Sequence, residues 1–186
     1  MVGAETLSRI IDYKDRGTCI LFGDGAGAFI VGRSTDDSRI FDPHMETNGT
    51  LGDLLTLPAG GSRMPFSQTA LDNNMHFVQM RGKEIFKSAV RAMSTCAQET
   101  LKKNQLSVNE IDWFIPHQAN VRIIEAVASS LDFPMSKVIM NIRDTGNTSS
   151  ASIPIAFDQA VKDGRIKRGQ KILLAAFGGG LTSGSV

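Results

Sequence analysis

The 186-residue sequence has little cysteine, little tryptophan or tyrosine, and almost no net charge. It contains 2 cysteines, 1 tryptophan and 1 tyrosine, and its 20 basic and 19 acidic residues leave a formal net charge of +1. Two cysteines cannot build the disulfide framework of a small secreted domain, and their spacing is not that of metal ligands. The balanced charge argues against a nucleic-acid partner, because phosphate binding relies on an excess of basic side chains.

Long apolar runs are also absent. No segment approaches the roughly 18 consecutive apolar residues that span a bilayer. The N-terminal stretch, MVGAETLSRIIDYKDR, lacks the basic and apolar regions of a signal peptide. We therefore expect no membrane partner and a cytoplasmic location. The hydrophobic fraction of 41% is typical of a globular domain.

Glycine is plentiful, with 18 residues that cluster near apolar runs. Short apolar runs predict strands at 18–22, 28–31, 111–115, 138–140 and 171–177. Apolar residues three and four positions apart predict helices at 82–103, 119–131 and about 150–161, the last with Pro154 in its first turn. A glycine-rich turn is expected at 23–27, and mainly loop at 34–76, with short strands at 40–41 and 54–57. The alternation in the second half predicts an α/β fold with a parallel or mixed sheet.

Two loops that follow predicted strands carry polar side chains suited to catalysis. Ligands of open α/β sheets bind beyond the carboxyl ends of the strands. His117 can act as a general base or donate a hydrogen bond to a developing oxyanion, although a structural histidine is the alternative. Asn147 can donate from a neutral amide, although a helix N-cap rich in Asn, Ser and Thr is the alternative. The remaining histidines, His44 and His76, are expected in the loop-rich segment.

The glycine-rich segments do not match nucleotide-binding motifs. The segment 177–184 lacks the Gly-Lys-Ser/Thr end of a phosphate-binding loop, and 23–27 opens no predicted helix. A nucleotide-binding protein is therefore disfavoured. Cys19 is expected inside the strand at 18–22 and Cys96 on the apolar stripe of the helix at 82–103, so both are interpreted as buried hydrophobic residues and not as nucleophiles.

Five segments, in order, resemble β-ketoacyl-acyl-carrier-protein synthase III, the condensing enzyme that starts type II fatty acid synthesis. They are DRGTCILFGDGAGA at 15–28, MRGKEIFKSAV at 80–90, FIPHQANVRII at 114–124, GNTSSASIP at 146–154 and AFGGGLTSG at 176–184. The resemblance implies an α/β, thiolase-like αβαβα layered fold built from two similar halves. It implies that residues 1–37 are the end of the N-terminal half and that residues 38–186 are the C-terminal domain.

The resemblance also implies roles for individual residues. His117 and Asn147 match the histidine and asparagine of a Cys-His-Asn triad. The other matched residues are implied to contact substrate or carrier protein: Arg16 on the coenzyme A adenine, Phe86 in the substrate tunnel, Asn120 near the pantetheine path, Phe177 close to the triad, and Arg122 in the patch that receives acyl carrier protein. The implied partners are acyl-CoA, as a substrate, and malonyl-acyl-carrier-protein. A homodimer is expected, with no metal and no resident cofactor.

The implied reaction is the decarboxylative condensation of acyl-CoA, with acetyl-CoA as the expected primer, and malonyl-acyl-carrier-protein. The family's nucleophilic cysteine precedes the segment that matches Met1, so we expect this chain to lack it and to be inactive in condensation by itself. Ser183 and Lys83 stand where the family often has tryptophan and asparagine, which puts coenzyme affinity in question. A non-catalytic thiolase-fold fragment or assembly module is the alternative.

Overall fold

The structure, a computed structural model, describes all 186 residues. The strands are β1 (Val2–Glu5), β2 (Gly25–Ala28), β3 (His44–Thr47), β4 (Leu55–Thr56), β5 (Gln79–Met80), β6 (Trp113–Pro116), β7 (Ile172–Gly178) and β8 (Thr182–Ser185). The helices are α1 (Gln68–Asp72), α2 (Gly82–Lys103), α3 (Val121–Ser130), α4 (Ile142–Thr145) and α5 (Ser152–Lys162). None of these helices is both long and apolar enough to cross a membrane.

The main sheet has four strands in the order β3-β8-β7-β6. β6 and β7 are parallel, whereas β8 is antiparallel to both β7 and β3, so the sheet is mixed, as the alternation of elements predicted. Because β6 and β7 run in the same direction, their carboxyl ends, at Pro116 and Gly178, meet at one edge of the sheet.

Helices cover both faces of this sheet, because successive side chains of a strand point to opposite sides. Phe114 of β6 packs in a cluster of 15 buried residues, to which α2 and α3 contribute on one face of the sheet. Its neighbour Ile115 packs in a second cluster with Ala156 and Ala160 of α5 on the other face. The sheet is therefore the middle of a helix–sheet–helix sandwich.

A two-stranded ribbon of β1 and β2 adds a fourth layer on the far side of α5. At Gly25 and Gly27 the ribbon lies so close to the opposing segment that no larger side chain fits without displacing a neighbour. A Cβ atom on Gly27 would lie 2.6 Å from the Cβ of Pro154, which is closer than real Cβ contacts come. The ring of Phe29 then packs edge-on against Phe157, with 5.3 Å between ring centroids.

All three predicted helices are confirmed. α2 has the bounds that the periodicity predicted, and α3 and α5 lie within a few residues of theirs. Asn120 ends the loop before α3, where its side-chain oxygen accepts hydrogen bonds from the first turn of the helix. Pro154 lies in the first turn of α5, as expected.

The strand predicted at 18–22 is wrong. These residues form turns, in which the backbone N–H of Cys19 donates to the Asp15 carbonyl and that of Leu21 to the Thr18 carbonyl. The Asp15 carboxylate also accepts from the Thr18 hydroxyl at 2.7 Å. This local bonding outweighs the apolar character of the segment, and Cys19 lies in a turn and not in a strand.

Other strand predictions fail around glycine and at the sheet edge. The expected turn at 23–27 is largely strand β2, and no strand covers 29–31 or 40–41. The run at 138–140 makes only an isolated bridge, between Val138 and Phe114. The segment 177–184 contains part of β8, which was not predicted, and His44 lies in β3 and not in a loop. Glycine and serine have low strand propensity, so tertiary pairing decides these elements.

Exposed apolar side chains concentrate in the N-terminal segment. Ile30 is fully exposed, and Val2, Ile20 and Val31 are each more than half exposed. We predict that the chain by itself is poorly stable or associates tightly with a second copy, because removing these apolar side chains from water is favourable. Sedimentation and thermal melting over a range of protein concentrations test this, and a sharp monomeric melt that does not depend on concentration would contradict it.

Candidate active site

A cavity of about 620 Å³ opens where β6 and β7 end. Side chains from the first half of α2, from the loop after β6 and from the end of β7 form its walls, and 12 of its 24 lining residues are hydrophobic. Its position beyond the carboxyl ends of two parallel strands is the usual place for a ligand in an α/β sheet.

Five of the seven site residues predicted from the sequence line this cavity. They are Phe86, His117, Asn120, Asn147 and Phe177. They come from α2, from the loop between β6 and α3, from the loop before α5, and from β7. The fold therefore brings together residues that are as far apart as 91 positions in the sequence (177 − 86 = 91).

The two predicted arginines lie outside the cavity lining. Arg122 is exposed in the first turn of α3, with its guanidinium carbon 5.9 Å from the centroid of the Phe86 ring. It thus stands beside a wall of the cavity, in reach of a cation–π contact. Arg16 is exposed and makes no ion pair, but its neighbour Gly17 lines the cavity.

His117 is held at the end of β6 by its backbone and by its ring. Its N–H donates to the Ala175 carbonyl at 2.7 Å, which extends the pairing of β6 with β7. Its ring Nδ1 lies 2.6 Å from the Ser152 hydroxyl oxygen, and that oxygen also accepts from the Gln118 N–H at 3.3 Å. Ser152 Oγ has no other partner, so we infer that its hydrogen points to Nδ1. The imidazole then carries its own proton on Nε2, as a donor.

Burial keeps the His117 ring neutral. The imidazole is removed from water, which disfavours the charged form and lowers its pKa from 6.5 to about 4. At neutral pH the ring is therefore an uncharged hydrogen-bond donor and not an imidazolium.

Asn147 is fixed by the segment that precedes β2. Its backbone N–H donates to the Leu21 carbonyl at 2.9 Å, and its carbonyl accepts from the Gly23 N–H at 2.9 Å. Its side-chain oxygen accepts from the Ser149 N–H at 2.9 Å. The oxygen is thus engaged locally, whereas the side-chain NH₂ donates to no protein group. Asn147 therefore offers a neutral donor at the cavity wall.

The two backbone hydrogen bonds between residues 21–23 and Asn147 require glycine at position 23. A Cβ atom there would collide with the Thr145 carbonyl oxygen, so no other residue permits the same approach of the two backbones. The glycine-rich segment thus contributes to the site through close packing, and not as a tight turn between two strands.

Two polar residues of the site were not singled out in the sequence. Gln118 is fully buried and donates to the Pro116 and Ile139 carbonyls, so it rigidifies the loop that bears His117. Ser152 is the ring partner of His117. The spacing of 35 residues between Ser152 and His117 gives no sequence signal for this contact. Asn120 is also structural in part, because its side-chain oxygen caps α3.

Neither cysteine lines the cavity. Cys96 is fully buried in α2, where its sulfur lies 3.1 Å from the Ser183 hydroxyl. Burial raises the pKa of the Cys96 thiol, which keeps it protonated and poorly nucleophilic. Cys19 is half-buried in the turn at 18–21.

Two family models match the chain. The model described as 3-oxoacyl-[acyl-carrier-protein (ACP)] synthase III matches residues 1–49, and the model described as the C-terminal part of this synthase matches residues 101–186. Among curated proteins, the β-ketoacyl-[acyl-carrier-protein] synthase III of Campylobacter fetus subsp. fetus is 50% identical over 185 residues, which are 100% of this chain and 56% of that protein.

Solved structures give the same match. The 3-oxoacyl-[acyl-carrier-protein] synthase III of Aquifex aeolicus has a TM-score of 0.87 and 47% identity, covering 99% of this chain and 55% of that one. The synthase III of Thermus thermophilus has a TM-score of 0.87 and 40% identity, and the match covers 99% of this chain and 56% of that one. The expected thiolase-like α/β fold is thereby confirmed. The chain spans little more than half the length of these relatives.

We predict that Ser152→Ala changes the proton position of His117. With the serine, Nδ1 accepts a hydrogen bond and the Nε2–H tautomer is favoured; without it, both neutral tautomers become populated. Nitrogen-15 NMR of the imidazole, which distinguishes the tautomers, measures this. A single Nδ1–H tautomer in the unaltered chain would contradict the assignment. Ser150→Ala, in the same loop but bonded to Glu5, is the matched control.

We also predict that stability falls on acidification before most carboxylates titrate. The unfolded chain binds a proton at His117 near pH 6.5, whereas the folded chain does so only near pH 4. The contribution of His117 to the free energy of unfolding is therefore constant above pH 6.5 and decreases below it, by roughly 3 kcal/mol once pH 4 is reached. Urea unfolding between pH 4.5 and 7 measures this slope. His117→Gln is expected to flatten it, whereas the surface control Lys162→Gln is not; equal slopes in all three chains would contradict the cause.

Proposed function

Since this chain belongs to the β-ketoacyl-acyl-carrier-protein synthase III family, we propose that it carries the decarboxylation and condensation site of such an enzyme. The reaction is the condensation of an acyl-CoA, with acetyl-CoA as the expected primer, and malonyl-acyl-carrier-protein, which initiates type II fatty acid synthesis. The observation that carries the proposal is the pair of neutral donors, His117 and Asn147, on the wall of one largely apolar cavity.

The two donors suit the decarboxylation step. The thioester oxygen of the malonyl group accepts hydrogen bonds from His117 Nε2–H and from the Asn147 side-chain NH₂. The bond between the methylene carbon and the carboxylate breaks, carbon dioxide leaves, and the electron pair moves onto the thioester as an enolate. Donors that are neutral stabilise this new negative charge without exchanging a proton, and they act strongly in a site that excludes water. No resident cofactor is required, because the loss of carbon dioxide generates the nucleophile.

The condensation step needs an acyl group next to the enolate. In the proposed reaction the enolate carbon attacks an acyl-cysteine thioester, the carbon–sulfur bond breaks and the thiolate leaves with the electron pair. Cys19 and Cys96 are poor candidates for this cysteine, since neither faces the cavity and burial keeps the Cys96 thiol protonated. We therefore propose that the nucleophile is supplied by the part of such an enzyme that lies outside the matched region. The chain alone is then expected not to catalyse condensation.

The remaining predicted residues are proposed to bind the substrates. Phe86 and Phe177 supply apolar walls that keep water from the enolate. Asn120 is proposed to lie along the pantetheine path, and Arg16, exposed beside Gly17, to contact the coenzyme A adenine. Arg122 is exposed beside the wall at Phe86 and has no carboxylate partner, which suits contact with an acidic carrier protein.

We propose that residues 1–37 belong to the N-terminal half of the fold and residues 38–186 to the C-terminal domain. The ribbon of β1 and β2 packs on the opposite side of α5 from the main sheet, which supports this division. A homodimer is proposed on the family resemblance. A cytoplasmic location is proposed as well, in line with two free cysteines and no disulfide.

A non-catalytic fragment or assembly module is the second candidate. The observation that favours it is the absence of a cysteine from the cavity lining. Such a module would keep the fold and its surfaces without turning over substrate.

Release of carbon dioxide from malonyl-acyl-carrier-protein separates the two candidates, because decarboxylation needs the donors but not the nucleophile. We expect slow decarboxylation by the chain and a loss of about 10²–10³-fold in rate for His117→Ala or Asn147→Ala. His76→Ala, which changes a histidine outside the cavity, is the control and is expected to leave the rate unchanged. If the folded chain releases no carbon dioxide, or if both site variants keep the full rate, the module is favoured.

A further inference from the structure

Three side chains of the metal-binding type meet at the edge of the main sheet. His44 and Glu46 come from β3, and Cys96 comes from α2. One ligand atom of each, an imidazole nitrogen, a carboxylate oxygen and the thiol sulfur, lies within 4.8 Å of the other two. The sequence spacing gives no hint of this group, since Cys96 follows Glu46 by 50 positions (96 − 46 = 50).

Strand register and helix packing produce this convergence. In the antiparallel pairing of β3 with β8, His44 is opposite Ser185 and Glu46 is opposite Ser183. Residues directly opposite each other point to the same face of a sheet, so these four side chains share one face. α2 covers that face: the Cys96 sulfur lies 3.1 Å from the Ser183 hydroxyl, and one turn later the Thr100 hydroxyl donates to the Ser185 carbonyl at 3.1 Å.

The polar groups here are left without protein partners. The Glu46 carboxylate forms no ion pair and accepts no hydrogen bond, and the His44 ring has no hydrogen-bond partner. On the same face, the hydroxyl of Ser185 is buried, with the residue 5% exposed, and has no partner. A buried polar group is normally satisfied, so the Ser185 hydroxyl is an exception on this face, and beside it the half-buried His44 ring and the exposed Glu46 carboxylate are free to bind an ion.

We propose that His44, Glu46 and Cys96 bind a zinc ion, with water as the fourth ligand. Nitrogen, oxygen and sulfur ligands together are typical of Zn²⁺, and three protein ligands leave one tetrahedral position to solvent, which reaches the site past the exposed Glu46. Coordination of the sulfur releases the thiol proton to bulk water. The Ser183 hydroxyl, hydrogen-bonded to the sulfur, orients it from outside the coordination shell.

The proposed ion lies outside the candidate active site. None of the three ligands lines the cavity that holds His117 and Asn147. Instead, the ion ties the second half of α2 to β3, which pairs with only one other strand of the sheet. An ion that binds the folded chain and not the unfolded one raises thermal stability by mass action.

Cobalt(II) is the probe, because it occupies zinc sites and reports its ligands by absorption. The full chain, stripped with a chelator, is expected to bind one Co²⁺ and to develop a thiolate-to-cobalt charge-transfer band with visible bands of tetrahedral intensity. Zinc is expected to remove these bands by competition. At zinc concentrations about 100-fold above the dissociation constant, the melting temperature is expected to rise by roughly 5–10 °C.

Glu46→Gln and His44→Asn test the site at residues that are not fully buried, so folding is preserved. Loss of even an outer partner of a metal ligand weakens binding by about 10–100-fold, so each variant is expected to lose at least that much Co²⁺ affinity. Cys96→Ala is expected to abolish the charge-transfer band. Cys19→Ala and His76→Ala are the matched controls and are expected to change nothing. The absence of a thiolate band, or unchanged affinity in both β3 variants, would overturn the proposal.

Discussion

The exchange of two backbone hydrogen bonds between residues 21–23 and Asn147 is the contact on which the candidate site depends. It crosses from the N-terminal segment to the loop before α5, and it fixes the backbone from which the Asn147 amide projects. His117 is fixed independently, by its bond to the neighbouring strand and by Ser152. The two donors are therefore held by different contacts, and Ser152, which bonds His117, lies in the same segment as Asn147. Because backbone groups make the contact, its geometry survives changes in most side chains around it.

The sequence predicted the three longest helices and the strands β4, β6 and β7, but it missed β1, β3, β5 and β8 and misplaced β2, for physical reasons. A long helix such as α2 carries its own signal, since its apolar residues repeat over six turns and must face one core. Strands depend on partners that are remote in sequence. β2 reads Gly-Ala-Gly-Ala and β8 reads Thr-Ser-Gly-Ser, and no local propensity marks either as a strand. The run at 18–22 shows the reverse case, in which apolar residues are held in turns by Asp15.

The identity of the two hydrogen-bond donors could be predicted from the sequence, but their protonation and their partners could not. His117 stands in a polar loop after β6 and Asn147 in a polar loop before α5, and the pattern of motifs placed them together. Nothing in the sequence gives the tautomer of His117, because that depends on a serine brought near by the packing of α5 on the sheet. The same holds for the group of His44, Glu46 and Cys96, which exists only in the register of β3 with β8. Side-chain partners across layers are properties of the fold.

The glycine-containing ribbon has a consequence for how this protein tolerates change. From residue 24 to residue 30 the chain alternates between exposed and half-buried positions, and the inward positions include Gly25 and Gly27, which lie against α5. On that side the ribbon presents only main-chain atoms at these two glycines, and they pack against Thr148, Pro154 and Ile155, so an added methyl group would have to displace these neighbours. On the outer side, Ala26 and Ala28 contact nothing that a larger side chain would displace within this chain. In this stretch of glycine and alanine, the inward positions therefore require glycine, whereas the outward positions accept larger side chains. Tolerance to substitution will alternate from one residue to the next.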